Sequence, residues 1–419
     1  MPLPEGTRGT ARALGLDWPE HVTSAQRRSL VAGGLGWMLD AMDVMLYSMV
    51  LAHLMRELAM DKGTAGLLNS LTLVASAAGG LLFGFFADRV GRTRALMVSI
   101  LVYSLASGAC GLSTSILQLA MFRFVLGLGM GGEWTTGAAL IAETWPAEHR
   151  GKALGLMQST WAIGEMIAAG VVALVLPSFG WRAVFFVGVL PALVVFWIRR
   201  DVPESEIWLR QQRSGGAGSV RLLWRGDLRR NGVLATAMNA CAMFGYWGLF
   251  TWIPAYLSLP VEQGGRGLDL MKTTAWLVIM GVGKWLGYAL FGFFADSAGR
   301  RRSYVTYLLV AAALVPLYGM AKTPFWLLVL GPFVAFFGTG FFSGFGAIAS
   351  ELFPTEIRAT AMGLSYNVGR GVSAAAPVVV GLLANRFGLG SAFFLQAAAF
   401  LAAALIALAL PETRGKELE

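Results

Sequence analysis

The sequence predicts an all-α integral membrane protein in which twelve transmembrane helices form two six-helix repeats. The chain is 56% hydrophobic and only 14% charged, whereas a soluble domain is about one-quarter charged. Its apolar residues form long runs, and a helix needs about 20 such residues to cross a bilayer. Motifs of the first half also return in the second half at one constant spacing.

The polar breaks between the apolar runs divide the chain into twelve predicted spans. Each span is expected to be a helix, because lipid offers no partner to the open backbone groups of any other structure. No apolar leader precedes the first run, so we expect that run to stay in the protein as a span. The spans cover residues 30–56, 64–87, 94–112, 116–145, 150–176, 181–199, 231–258, 273–295, 303–321, 324–352, 357–384 and 391–410.

The same breaks predict the domain organisation. A linker that contains the flexible stretch SGGAGS is expected to join the two bundles. The predicted parts are an N-terminal segment 1–28, a bundle 29–200, the linker 201–230, a bundle 231–411 and a tail 412–419.

Lysine and arginine collect in the breaks on one side of the predicted membrane. By the positive-inside rule this side is cytoplasmic, so both termini of a multi-pass cell (inner) membrane protein are expected there. The net charge of +9 is then a topology signal, and no nucleic-acid partner is expected. The basic residues of these breaks include Arg89, Arg92, Arg94, Arg150, Lys152, Arg199, Arg200, Arg229, Arg230, Arg300, Arg301, Arg302 and Arg358.

The two cysteines exclude some kinds of site. Cys110 and Cys241 both fall inside predicted spans, so neither a structural disulfide nor a thiolate metal site is expected. The sequence has no phosphate-binding P-loop, which argues against ATP-driven transport and against an enzyme. We therefore expect no metal and no cofactor.

A charged nonapeptide shows the internal repeat. GFFADRVGR at residues 84–92 returns as GFFADSAGR at residues 292–300, which is 208 residues later. One constant offset for three separate motifs indicates two related halves. The other matching sets are Glu143, Pro146, Arg150 and Gly155 with Glu351, Pro354, Arg358 and Gly363, and Pro203 and Glu204 with Pro411 and Glu412.

The motif GxxxDRxGRxR after span two, its copy after span eight and the ending PETRGKELE resemble the major facilitator superfamily. The resemblance implies the major facilitator fold, with one chain as the working unit in the lipid. It also implies a substrate site near the midplane, between two halves that rock to give alternating access.

In that family the repeated loops pair with charges at neighbouring helix ends and hold the cytoplasmic side shut. Here they are expected to act as the two halves of a gate latch, although they could instead serve only as positive-inside anchors. The predicted gate residues are Gly84, Asp88, Gly91, Arg92, Glu143, Arg150, Gly292, Asp296, Gly299, Arg300, Glu351 and Arg358.

Ionisable residues inside the spans are functional candidates, because charge at bilayer depth is costly. Asp40 and Asp43 share a helix face, and we expect them to be the acidic partners of Arg123, unless that pair is purely structural. Glu165 and Lys284 could instead neutralise one another. The predicted proton-coupling residues are Asp40, Asp43, Arg123, Glu133, Glu165 and Lys284.

Arg370 is the main candidate for binding a substrate. No acidic residue lies near it on its own span, and a guanidinium presents a planar fork that suits a carboxylate. A structural partner such as Glu165 is the rival interpretation, and Glu133 could instead make a helix-packing hydrogen bond. The predicted substrate-binding residues are Arg370, Glu133, Trp134, Tyr246, Tyr366 and Asn367.

Shorter stretches indicate a branch of the superfamily. DAMDVMLY, the GGEW run and AEHRGKALG resemble the sialic-acid and aromatic-acid proton symporters, whereas PETRGK and the PES stretch resemble sugar porters. The expected function is proton-coupled uptake of a small organic anion, with a carboxylate as its charged group. The alternatives are a facilitator or proton symporter for sugars or polyols, and a non-transporting membrane sensor with the same fold.

Overall fold

The protein is helical throughout the part described by the structure, a computed structural model that covers residues 22–145, 147–211, 226–353 and 358–413. Within these ranges a single 3-10 turn, Val261–Gln263, accompanies the helices. The helices are α1 Ser24–Glu57, α2 Lys62–Val90, α3 Arg92–Gly111, α4 Ile116–Thr144, α5 Ala147–Val187, α6 Ala192–Asp201, α7 Glu206–Gln211, α8 Gly226–Phe250, α9 Ile253–Ser258, α10 Leu270–Ala298, α11 Arg300–Met320, α12 Pro324–Leu352, α13 Arg358–Ser373, α14 Ala375–Phe387 and α15 Leu389–Leu408.

The number of membrane crossings follows from the lengths of these helices. Within the described ranges, eleven helical stretches are long and apolar enough to cross a membrane. The stretch Ala153–Asp201 has 49 residues, about 74 Å of helix, which is more than twice the thickness of a bilayer core. It is interrupted at Gly180, so it supplies two crossings and the total is twelve. The predicted fold class is confirmed.

Three of the predicted spans are broken inside the membrane, and proline explains each break. Helices α5, α8 and α13 each end four residues before a proline, namely Pro191, Pro254 and Pro377. A proline ring clashes with the carbonyl group four residues earlier and lacks the N–H that this carbonyl would accept from. Pro316 and Pro332 stay inside α11 and α12, as transmembrane helices can tolerate.

The backbone repeats as the sequence does. Gly91 has φ 107° and ψ 156°, and Gly299, which is 208 residues later, has φ 102° and ψ 153°. The same offset relates Gly180, with φ 74°, to Gly388, with φ 77°. Only glycine adopts such positive φ values at low cost. The two halves therefore make the same turns at the same places, which confirms the internal repeat.

The repeated Pro–Glu pairs cap two helices. Glu204 Oε1 accepts hydrogen bonds from the backbone N–H groups of Arg92 and Thr93, at 2.8 and 3.1 Å. In the second half, Glu412 Oε1 accepts from the backbone N–H groups of Arg300 and Arg301, at 2.8 and 3.4 Å. The first N–H groups of a helix lack partners within it and carry partial positive charge, so a carboxylate stabilises this end.

Twelve crossings put residues 22 and 413 on one side of the membrane, which we call the terminal side; the other is the far side. Helices α13 and α14 of the second half pack on α2 of the first half, and α10 packs on α5. On the far side, the Asn385 amide donates to Asp61 at 3.0 Å and Lys62 Nζ donates to the carbonyl of Gln263 at 2.8 Å. The two halves are therefore closed against each other on the far side.

Candidate functional site

The candidate site lies at mid-depth, where the two halves meet. Arg370 is 2% exposed. Its NH1 donates to Ser76 Oγ of α2 at 2.8 Å, and its guanidinium carbon lies 5.2 Å from the centroid of the Tyr366 ring. Its Nε has no hydrogen-bond partner. Among the described residues, Arg370 forms no ion pair with an acidic side chain. Arg370 is therefore a buried cation at the interface that forms no direct ion pair among the described residues, while the buried acids Asp40 and Glu133 of the first half lie within electrostatic range of it.

An aromatic stack joins the two halves beside this cation. The rings of Trp134, on α4, and Tyr366, on α13, have centroids 4.3 Å apart and planes 9° apart. Trp134 Nε1 donates to Gln158 Oε1 at 3.2 Å, which fixes the orientation of the indole. Asn367 follows Tyr366, and its amide donates to the Gly363 carbonyl at 3.0 Å. The structure thus brings three of the predicted substrate-binding residues close to Arg370.

A second buried cation at the interface is fully paired. Lys284, on α10, forms an ion pair with Glu165 Oε2 of α5, and their side chains are 5% and 8% exposed. Glu165 Oε1 also accepts from Trp161 Nε1 at 2.8 Å and from the Tyr246 hydroxyl at 2.9 Å. The expectation that Glu165 and Lys284 neutralise one another is confirmed. The rival interpretation, in which Glu165 is the partner of Arg370, is wrong because Glu165 is already occupied.

Three other carboxyl groups are buried in the first half with few donors. Asp40, Asp43 and Glu133 are each 0% exposed. Asp43 Oδ1 accepts from Ser107 Oγ at 3.1 Å, whereas neither oxygen of Asp40 or Glu133 has a hydrogen-bond partner among the described residues. The Glu133 carboxyl group packs directly against Gly36 of α1.

The predicted pairing of Arg123 with Asp43 and Asp40 is wrong. Arg123 NH2 donates to Asn69 Oδ1 at 2.9 Å, and its guanidinium lies 3.9 Å from the centroid of the Tyr47 ring. Tyr47 follows Asp43 by one helical turn on α1, and its ring face attracts the cation as a carboxylate would. The functional roles of these residues stay predictions.

The described part of the predicted gate ties helix ends together within one half. Arg92 donates from Nε and NH2 to Glu143 Oε1, at 3.1 and 3.0 Å. Gly91 and Gly299 form the turns before α3 and α11, while Gly84 and Gly292 lie on α2 and α10. The latch between the halves stays a prediction. The side chains of Asp88, Arg150, Asp296, Glu351 and Arg358 lie outside the described residues.

Some residues at the site escaped the sequence analysis. Ser76, Asn69 and Ser107 each hold a charged side chain, yet a single small polar residue in an apolar span carries no signal of that role. Glu204 had a signal, because its Pro–Glu pair repeats, but its function as a helix cap needed the folded structure.

Comparisons with known proteins agree with this architecture. The family model of the Major Facilitator Superfamily matches residues 34–281 and 266–419. The solved structure of a D-xylose–proton symporter superimposes with a TM-score of 0.76, covering 94% of this chain and 100% of that one. At 19% sequence identity this likeness shows the fold alone.

Curated relatives are transporters rather than enzymes, as the sequence predicted. A protein of Cupriavidus pinatubonensis, described as a probable 4-methylmuconolactone transporter, is 34% identical over 96% of this chain and 94% of its own. The cis,cis-muconate transport protein of Acinetobacter baylyi is 32% identical, over 89% and 91% of the two chains. The sialic acid transporter NanX of Escherichia coli is 29% identical, over 92% and 94%.

The family match spans nearly the whole chain, the relatives match over nearly their full lengths, and the twelve-helix repeat is the one that the motifs predicted. The chain is a multi-pass membrane transporter and belongs to the major facilitator superfamily.

Proposed function

We propose that the chain is a proton-coupled symporter that takes up a small organic anion, with a carboxylate as the anionic group, by alternating access. One chain is the working unit, both termini are cytoplasmic, and the proton is the only coupling ion in the proposal. The observation that carries it is the state of Arg370, a buried guanidinium between the two halves that forms no direct ion pair among the described residues.

The argument for an anion is electrostatic. A buried charge without a direct ion-pair partner is costly at this depth, and the fork of a guanidinium matches a carboxylate better than any neutral group. Ser76 supplies only a hydroxyl oxygen, which leaves the positive charge in place. A substrate carboxylate that binds Arg370 would neutralise it. The names of the muconate and sialic acid relatives are those of carboxylic acids, which supports this substrate class.

The argument for protons comes from the buried acids. Asp40 and Glu133 have no hydrogen-bond donor among the described residues, and Asp43 has one. An ionised carboxylate is costly in such surroundings, whereas a protonated one is tolerated. When the site opens to water this cost falls, so these groups can release a proton on one side of the membrane and accept one on the other.

Proton movement in proteoliposomes tests the proposal. Purified protein would be reconstituted and challenged in turn with cis,cis-muconate, benzoate, N-acetylneuraminate and D-xylose, while external pH and substrate uptake are recorded. We expect external alkalinisation with at least one carboxylate and none with D-xylose. Flux of D-xylose alone, or carboxylate flux without proton movement, would overturn the proposal.

A substitution separates the role of Arg370 from that of positive charge in general. Arg370→Lys keeps the charge and loses the planar fork, so we expect the affinity for the transported carboxylate to fall at least about tenfold. Arg386→Lys is the matched control, because Arg386 lies exposed in the last turn of α14, just beyond the end of the same predicted span. Equal affinities in the two variants would rule out Arg370 as the anion site.

A further inference from the structure

The two interfaces between the halves are related by the internal repeat. Helix α2 corresponds to α10 with an offset of 208 residues, and this offset relates Ser76 to Lys284. On the opposing helices, Glu165 of α5 corresponds to Ser373, which lies one helical turn beyond Arg370. The contacts Lys284–Glu165 and Ser76–Arg370 therefore occupy equivalent places in the two interfaces.

The two contacts differ in their chemistry. In the interface between α5 and α10, the cation Lys284 meets an acid, Glu165, that accepts three hydrogen bonds. In the interface between α2 and α13, the cation is Arg370, and the opposing helix offers only the hydroxyl of Ser76. The second interface therefore lacks the direct ion pair that the first one has, because the acids Asp40 and Glu133 act on Arg370 only from a distance.

We propose that the carboxylate of the substrate supplies this missing ion-pair partner by binding at Ser76, where it bridges the hydroxyl of Ser76 and the guanidinium of Arg370. The inference rests on the proposed function and adds a substrate-positioning residue to it. Ser76 Oγ accepts from Arg370 and keeps its own hydrogen for donation. Arg370 Nε, which has no partner, offers the second contact.

This position has a consequence for transport. Ser76 belongs to the first half of the protein and Arg370 to the second, so a carboxylate that contacts both ties the halves together at mid-depth. The carboxylate of the substrate then pairs with the cation of one interface, as the carboxylate of Glu165 pairs permanently with Lys284 in the other. Occupancy of the site and closure of the halves become one event.

Substitutions at position 76 test the proposal, with affinities for cis,cis-muconate and benzoate measured by calorimetry on the purified full chain in detergent. Ser76→Ala removes the hydroxyl, and we expect about tenfold weaker binding. Ser76→Thr keeps the hydroxyl and should stay within about threefold of the wild type. Ser70→Ala is the matched control, because Ser70 lies on the same helix, is buried, and has an Oγ without a partner.

Ser76→Asp is the sharper variant. It places a tethered carboxylate where the substrate carboxylate is proposed to sit, so we expect binding to weaken by at least about a hundredfold while Ser76→Ala still binds measurably. The variant should unfold no more easily than the wild type, because it neutralises a buried cation.

The outcomes separate this inference from the proposed function. If the wild type binds neither probe, both fail. If the wild type binds and Arg370→Lys weakens binding while Ser76→Ala behaves as Ser70→Ala does, the anion site stands and the role of Ser76 is overturned. If Ser76→Asp binds the probes as tightly as the wild type does, the role of Ser76 is overturned as well.

Discussion

The Glu165–Lys284 pair allows a quantitative prediction, because its two charges can be removed singly or together. Lys284→Met deletes the cation and keeps a side chain of similar length. Glu165 is then left as a buried carboxylate, 8% exposed, with only the Trp161 and Tyr246 donors. We expect this variant to be strongly destabilised.

The magnitude follows from the burial of the pair. Removal of one partner of a buried ion pair costs about 3–5 kcal/mol, and the two remaining hydrogen bonds put Lys284→Met at the low end of this range. The double variant Glu165→Gln/Lys284→Met removes both charges, and the Gln oxygen can still accept from Trp161 and Tyr246. The double variant should lose about 1 kcal/mol or less of its free energy of unfolding, because a buried ion pair often contributes little net stability over a neutral replacement.

The assay is the free energy of unfolding in mixed micelles, followed by tryptophan fluorescence during titration with a denaturing detergent. Lys272→Met is the matched control, since Lys272 lies on the same helix and pairs with Asp269 at 3.1 Å in an exposed position. An exposed pair contributes little to stability, because water and salt screen it. The reasoning is refuted if Lys284→Met costs no more than Lys272→Met, or if the double variant is as unstable as the single one.

Two further predictions concern the acids of the first half and the far side. A Cβ at Gly36 would overlap the carboxyl group of Glu133 and displace it, whereas one at Gly34 would meet its nearest neighbour at 3.6 Å. Gly36→Ala should therefore weaken proton-coupled uptake while Gly34→Ala retains it, and equal uptake in the two variants would contradict a role for the position of the Glu133 carboxyl group. Hydrogen bonds from Thr64 lower the pKa of Asp61, so its contribution to stability is present above the unfolded pKa of about 3.9 and is lost as pH falls through the lower folded value. The free energy of unfolding of the wild type should therefore fall as the pH is lowered through this range, and it should fall less in Asp61→Asn. Identical pH profiles for the two proteins would show that Asp61 is not the cause of the loss.

Much of the fold was predictable, because length and local chemistry determine it. The polar breaks and the bilayer thickness give twelve spans, and the repeated glycines give equivalent turns at Gly91 and Gly299. The interruptions inside three spans were missed, although each lies four residues before a proline such as Pro377. A hydropathy pattern measures apolar length and does not register the loss of one backbone hydrogen bond.

The contacts of the site were less predictable, because the rotation of a membrane helix leaves little trace in its sequence. A helix that is apolar on every face has no hydrophobic stripe to show which residues face a neighbour. Glu165 and Lys284 could be paired on charge alone. Arg123 could not be placed, since an aromatic ring and an amide, Tyr47 and Asn69, took the position that an acid was expected to hold.

The internal repeat separates the scaffold of the transporter from its site. Residues that recur after 208 positions lie at turns and helix ends, as Gly91, Gly299 and the two capping glutamates do. The buried charges of the site break the repeat, because the position equivalent to Arg370 is Ala162 and the one equivalent to Lys284 is Ser76. Two identical halves would place the same charges in both interfaces. The unequal charges give one interface a buried ion pair and leave the other without one, and in our proposal the carboxylate of the substrate completes the second.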